Sequence, residues 1–209
     1  IGATHQAQQY ANLIDTLVRE FWAEVELQNY FPSEELVATC TASLRDYLGK
    51  AIKPGRLGRR GAFTPAKPLS LYLHGLPGVG KSAFLSAFAV ALQHILARYL
   101  NPSQRLDVVK CPLNSLTPQH LRTMLLVKGI SDWSIERILE QTIRRGDLCC
   151  FHLEENPEDP VLQEQLWELL AAMTDKLTAR YPEYRNNMLF VWTSNYPPTP
   201  TIQRKAAVL

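Results

Sequence analysis

Eight consecutive residues, Gly75-Leu76-Pro77-Gly78-Val79-Gly80-Lys81-Ser82, constrain the fold of this chain more than any other stretch. They follow the pattern G-x-x-x-x-G-K-[ST], and their flanks fit it. In front lies a short apolar run, Leu69-Ser70-Leu71-Tyr72-Leu73, which reads as a buried strand. Behind lies Ala83-Phe84-Leu85-Ser86-Ala87-Phe88-Ala89-Val90-Ala91-Leu92, which reads as a helix. Glycines at these places let backbone N–H groups turn inward, and the helix N-terminus adds partial positive charge. The result is a cradle for an anionic polyphosphate. Lys81 then reaches the β/γ-phosphates as a point charge, and the Ser82 hydroxyl is a ligand for Mg²⁺. Residues 75–83, from Gly75 to Ala83, are the candidate nucleotide-binding set.

The chain has 209 residues, room for one large domain or a main domain with a small helical appendage. An apolar fraction of 46% supports a real core and excludes global disorder. A net charge of +2 gives no global argument for a nucleic-acid or membrane partner. The four cysteines, Cys40, Cys111, Cys149 and Cys150, form no C-x-x-C pair and no zinc spacing. Cys149 and Cys150 are adjacent in an apolar run, so a strand would send them to opposite faces as buried thiols. That suits an intracellular, reducing compartment. No apolar run reaches membrane-spanning length. The first residue is Ile1 rather than Met, as expected of an excised fragment or a processed product.

Strand and helix patterns alternate along the chain. Leu13, Ile14, Leu17, Val18, Phe21 and Val25 mark a first helix over 3–28. Ser33 is an N-cap for a second, marked by Leu36, Val37, Cys40, Leu44, Tyr47 and Leu48 and ending near Gly49. Residues 50–68 carry Lys50, Lys53, Arg56, Arg59, Arg60 and Lys67 without an acidic residue, a basic linker before the first core strand. After the Gly75 loop and its helix, further strands fall at 106–111, 147–153 and 188–193. Helices fall at 117–129, 131–146 and 160–180. This alternation predicts a parallel α/β sheet covered on both faces.

Two of the strands end in polar side chains. The strand at 147–153 runs into Glu154-Glu155, and that at 188–193 into Ser194-Asn195. In open parallel sheets the chemistry collects at the carboxyl ends of strands. Beside a phosphate loop, the first acid suits the Mg²⁺ water shell, and the second suits orienting an attacking water. The Asn195 amide suits a hydrogen bond to the γ-phosphate or to that water.

With these endings the chain resembles the AAA+ ATPase family. The resemblance rests on residues 75–82 as Walker A, 148–155 as Walker B and 188–195 as the sensor-1 strand, and spans roughly residues 30–209. It implies an α/β P-loop fold with a five-stranded parallel sheet of order 5-1-4-3-2, of which four strands are legible. It implies ATP/ADP and Mg²⁺ bound at a subunit interface, a homo-oligomer or ring, and hydrolysis that remodels a macromolecular substrate. In that scheme Lys81, Glu155 and Asn195 are catalytic, while Ser82 and Glu154 hold Mg²⁺. Tyr30-Phe31-Pro32 resembles the adenine-side segment. Expected boundaries are a helical segment at 1–49, the linker at 50–68 and the ATPase core at 69–209, with a C-terminal lid absent or beyond the chain's end. Glu154 stands where Asp is usual. The stretch 117–145 reads as an insertion, and Arg180, Arg185 and Arg204 are candidates for an arginine finger. Superfamily 3 helicases share the Glu-Glu and Ser-Asn endings, which keeps a nucleic-acid motor as an alternative. A nucleotide-binding switch with little hydrolysis is another, and a small-molecule kinase a weaker third.

His5, His74, His94, His120 and His152 show no ligand spacing. His74 and His152 read as packed core residues. Trp22, Trp133, Trp167 and Trp192 fall at positions that favour packing.

Overall fold

In a computed structural model, residues 2–51, 69–99, 105–113, 148–180 and 188–209 are described. The basic stretch from 52 to 68, the helices expected within 117–145, Trp133 and Arg185 lie outside them. Two helices lead, α1 (Gly2–Leu27) and α2 (Glu34–Ala51). They are followed by β1 (Leu69–His74), α3 (Lys81–Tyr99), β2 (Leu106–Pro112) and β3 (Leu148–Glu154). The chain closes with α4 (Pro160–Arg180), β4 (Met188–Ser194), α5 (Pro200–Lys205) and β5 (Ala207–Val208).

The five strands are parallel and stand in the order β2-β3-β4-β1-β5. Counted from the β5 edge, the same neighbours read 5-1-4-3-2. Between β1 and β4 the register runs from Leu69 opposite Leu189 to His74 opposite Ser194, so both strands end at one level.

Period-two alternation sorts the strand side chains into two cores. Leu69, Leu71, Leu73, Leu148, Cys150, Leu189 and Val191 face α1, α2 and α3 in one buried cluster. Tyr72, Cys149, Phe151, Leu153, Phe190 and Trp192 face α4 and α5 in the other. The adjacent thiols Cys149 and Cys150 therefore lie in different layers. Both are buried outside any disulfide, as is Cys40, and burial pushes the Cys40 and Cys150 thiols up to about 12.

The helix α3 is the spine of the first layer. Phe84, Leu85, Phe88, Leu92, Ile95 and Leu96 are buried along it. Each such side chain contributes about 1.5–3 kcal/mol by leaving water. The α1 helix lies against it with its predicted stripe inward, and Phe21 meets Phe88 edge-on at 5.3 Å. The α1–α2 contact adds a hydrogen bond from Trp22 Nε1 to Thr41 Oγ1 (2.8 Å).

Three expectations change. Gly49 does not end α2, which runs on to Ala51; the Tyr10 hydroxyl of α1 donates to the Gly49 carbonyl, satisfying an acceptor in the last turn. Lys50 consequently belongs to this helix rather than to the linker and pairs with Asp46 one turn back. His74 is exposed, not packed, because it is the last residue of β1 and stands clear of both layers. His152, one strand over, is buried as expected.

Candidate nucleotide site

The site grows from the level at which β1, β4 and β3 end. The chain leaves β1 at His74, and Gly75 N–H at once donates to the Ser194 carbonyl of β4 (3.2 Å). Gly75, Gly78 and Gly80 all have positive φ (149°, 86° and 94°). Such backbone is what bends the six residues 75–80 into a compact loop and delivers them to the α3 N-terminus. The first turn of α3 holds no acidic residue, so its free N–H groups and dipole keep their attraction for an anion. Leu76 and Val79, apolar residues of the loop, are largely exposed.

Lys81 ties the parts together. Its ammonium donates to the Gly75 carbonyl (2.7 Å), the Leu76 carbonyl (3.0 Å) and Asn195 Oδ1 (3.1 Å). Two residues 114 positions apart, each expected at the site, are thus in direct contact. Ser82 follows in the first turn of α3. Tyr30 packs against the same corner. Its ring lies 5.5 Å from that of Phe84, and it is the nearest neighbour beside Gly80. Phe31 next to it is exposed.

Glu154 and Glu155 stand at the end of β3, separated from β1 by β4 alone. Glu154 is partly exposed, and two cations or potential cations face its Oε1: Lys110 Nζ at 3.9 Å and His152 Nδ1 at 3.6 Å. His152 is held from its other side by Thr193 Oγ1 (3.0 Å). Burial holds the His152 imidazole below its ordinary range, against a smaller upward pull from Glu154. Glu155 has a left-handed backbone (φ 57°), rare for a non-glycine residue, and is exposed. Asn156, one step on, is buried and sits in a polar cluster with Tyr72 and Ser194. Of the arginine-finger candidates, Arg204 is exposed on α5, while the Arg180 side chain and Arg185 lie outside the described residues.

Ser82 and Glu154 are the residues that could hold Mg²⁺. Among the described residues no three His, Cys, Asp or Glu side chains form a metal cage. One hydroxyl, Ser82, and one carboxylate, Glu154, are what a cation needs when it keeps several waters and takes its other ligands from phosphates.

Sequence reasoning did not single out Tyr72, Lys110 or Asn156. Tyr72 lies in β1 and Asn156 follows β3, and only the pairing of both strands with β4 brings them together. The charge on Lys110 was visible, but its place beside Glu154 depends on strand order.

No protein-family model and no curated protein matches this chain. Solved structures do. The ORC2 protein of Aeropyrum pernix, in ADPNP-ADP complexes, superimposes with a TM-score of 0.50 at 13% identity, over 86% of this chain and 48% of that one. PCH-2 of C. elegans gives 0.48 at 14% identity, over 85% and 42%. The Drosophila ORC bound to DNA gives 0.41 at 15% identity, over 91% and 46%. This chain spans less than half the length of each. Among the described residues no helix is long and apolar enough to cross a membrane. The likeness to the ORC2 protein is one of fold, and that fold is a parallel five-stranded α/β sheet with helices on both faces.

Proposed function

We propose that this chain binds ATP with Mg²⁺ at residues 75–83, hydrolyses it, and works in a homo-oligomer that remodels a macromolecular substrate. The observation that carries the reading is the Lys81 ammonium, shared between the loop carbonyls and Asn195, with Glu154 and Glu155 at the next strand end. Loop, sensor strand and acidic strand are three separate parts of the sequence, and they follow the carboxyl ends of three adjacent central strands.

The chemistry follows from the partners. Lys81 is bonded to three neutral acceptors, and phosphate oxygens offer it charged ones, which make stronger hydrogen bonds. Its transfer to the β/γ-phosphates frees Asn195 Oδ1 to accept from the attacking water, while the Asn195 Nδ2 hydrogens donate to the γ-phosphate. Glu155 accepts a proton from that water as its oxygen bonds to the γ-phosphorus. The bond from γ-phosphorus to the bridging oxygen breaks, leaving ADP and inorganic phosphate. Ser82 and, through water, Glu154 would hold Mg²⁺, which would supply positive charge against the phosphates. Tyr30 borders the loop on the side assigned to the base.

A second reading has its own observation. Lys110 brings a cation to 3.9 Å from the carboxylate assigned to the metal's water shell. A site that already balances that charge suits a switch that binds nucleotide and barely hydrolyses it.

Phosphate release from ATP, measured with and without Mg²⁺ and with added single- or double-stranded DNA or RNA, tests the proposal. Magnesium-dependent turnover that disappears in Glu155→Gln supports it. Strong stimulation by nucleic acid assigns the macromolecule, and tight binding without turnover selects the switch.

A further inference from the structure

The ends of β3 and β4 are joined by a buried polar cluster that the mechanism above does not use. The Ser194 hydroxyl, in a residue that is 2% exposed, donates to the Asn156 carbonyl (2.7 Å) and accepts from the Tyr196 N–H (3.0 Å). Asn156 is 1% exposed. Its N–H donates to the Thr193 carbonyl (3.0 Å), and its Nδ2 donates to the Tyr72 hydroxyl (3.0 Å). Tyr72 in turn donates to the Tyr196 carbonyl (3.2 Å). The two turns that carry Glu155 and Asn195 are thus each gripped on the residue just after the functional one.

Stability alone does not account for this arrangement. Asn156 Oδ1 is buried with no hydrogen-bond partner among the described residues. A buried unpartnered acceptor costs free energy. Glu155 adds a left-handed backbone that also disfavours the fold. Such a conformation persists only where neighbours over-determine it, and here Asn156 is bonded through both its backbone N–H and its carbonyl. The Ser194 carbonyl meanwhile holds Gly75 N–H, the entry to the phosphate loop (3.2 Å). One serine therefore touches the acidic turn, the amide turn and the loop.

We propose that Ser194, with the Asn156–Tyr72 pair, is a positioning clamp. It fixes the Glu155 turn against the Asn195 turn, so that the water activated by one meets the phosphate held by the other. This rests on the reading of Glu155 as the base. Neither Ser194 nor Tyr72 touches substrate, and both act through the geometry of Glu155 and Asn195.

The test compares Ser194→Ala and Tyr72→Phe in the full chain, each alone and combined with Glu155→Gln. The readouts are binding of a fluorescent ATP analogue, single-turnover hydrolysis, and amide hydrogen exchange at Asn156 and Tyr196. The clamp predicts that Ser194→Ala slows hydrolysis by about tenfold or more. Nucleotide affinity stays within about twofold, and exchange at Asn156 and Tyr196 rises. Tyr72→Phe, which keeps the ring in its core, moves the same readouts in the same direction and decides the matter if Ser194→Ala does not fold. In the Glu155→Gln background neither substitution slows hydrolysis further. Hydrolysis and exchange unchanged in both variants, with Glu155→Gln inactive, overturns the clamp and leaves the ATPase reading standing. Hydrolysis and affinity falling together marks a merely structural role and also overturns it. Turnover that survives Glu155→Gln, or is absent from the parent chain, overturns the underlying reading and the clamp with it.

Discussion

Gly78 has a φ of 86° and open space where a Cβ would stand, so a side chain there meets strain and nothing else. Gly78→Ala should lower stability by about 1–2 kcal/mol, the cost of a left-handed L-residue. Gly75 adds a clash: its φ is 149°, and a Cβ would sit 3.1 Å from Val79 Cγ2. Gly75→Ala should therefore shift the urea midpoint further than Gly78→Ala. An equal or smaller shift would contradict the loop geometry. At this scale the sequence was informative where chemistry is local. The glycines, Lys81 and Ser82 announce a phosphate loop by spacing alone. Glu154, Glu155 and Asn195 are legible as polar endings of apolar strands. The partners of those endings are not, because Asn156 meets Tyr72 and Ser194 only after β1 and β3 both pair with β4. The exposure of His74 was missed for a related reason, since periodicity marks a strand but not which of its residues outruns the layers.

Among elements, the pairing of α1 with α3 decides whether residues 1–49 are an appendage or part of the core. Phe21 is fully buried between the two helices, against Phe88. Phe21→Ala should cost about 3–5 kcal/mol, as for other large core truncations. If 1–49 and 69–209 fold as one unit, urea unfolding stays a single transition with a lower midpoint. A separate early transition for α1 would show two units. The rim of the same contact is charged: His94 and Arg98 of α3 face Glu20 and Glu24 of α1. The hydrogen bond from His94 is the main cause holding the Glu24 carboxyl below its ordinary 4.5, with burial opposing it. The folded chain therefore binds fewer protons at Glu24 than the unfolded chain does. Its stabilisation is complete above 4.5 and is lost as pH falls through the depressed folded value. Thermal midpoints from pH 6 down to pH 3 should fall less steeply for Glu24→Gln than for the parent. Identical slopes would remove Glu24 from the account. The helices α1 to α4 were legible because each carries a long apolar stripe. The two-residue β5 is too short to alternate, and α5 has six residues. Its start at Thr199-Pro200, where Thr199 Oγ1 accepts from Ile202 N–H, was passed over in the sequence.

For the whole molecule, strand order does the functional work. Placing β4 between β1 and β3 sets Asn195 between the loop and the acidic pair, so that Lys81 reaches it. Periodicity cannot yield that order, since a buried parallel strand looks alike in any position. It became an expectation only through the family resemblance that the three motifs carry. The central claim is that this architecture binds ATP through the loop and hydrolyses it with Glu155. The direct test is titration of a fluorescent ATP analogue, with phosphate release followed on the same samples, for the parent chain, Lys81→Ala and Glu155→Gln. The account predicts binding by the parent, weakened at least about tenfold in Lys81→Ala, where charged hydrogen bonds are lost. It predicts that Glu155→Gln keeps binding and loses turnover. No nucleotide binding by the parent chain, or affinity unchanged in Lys81→Ala, would contradict it.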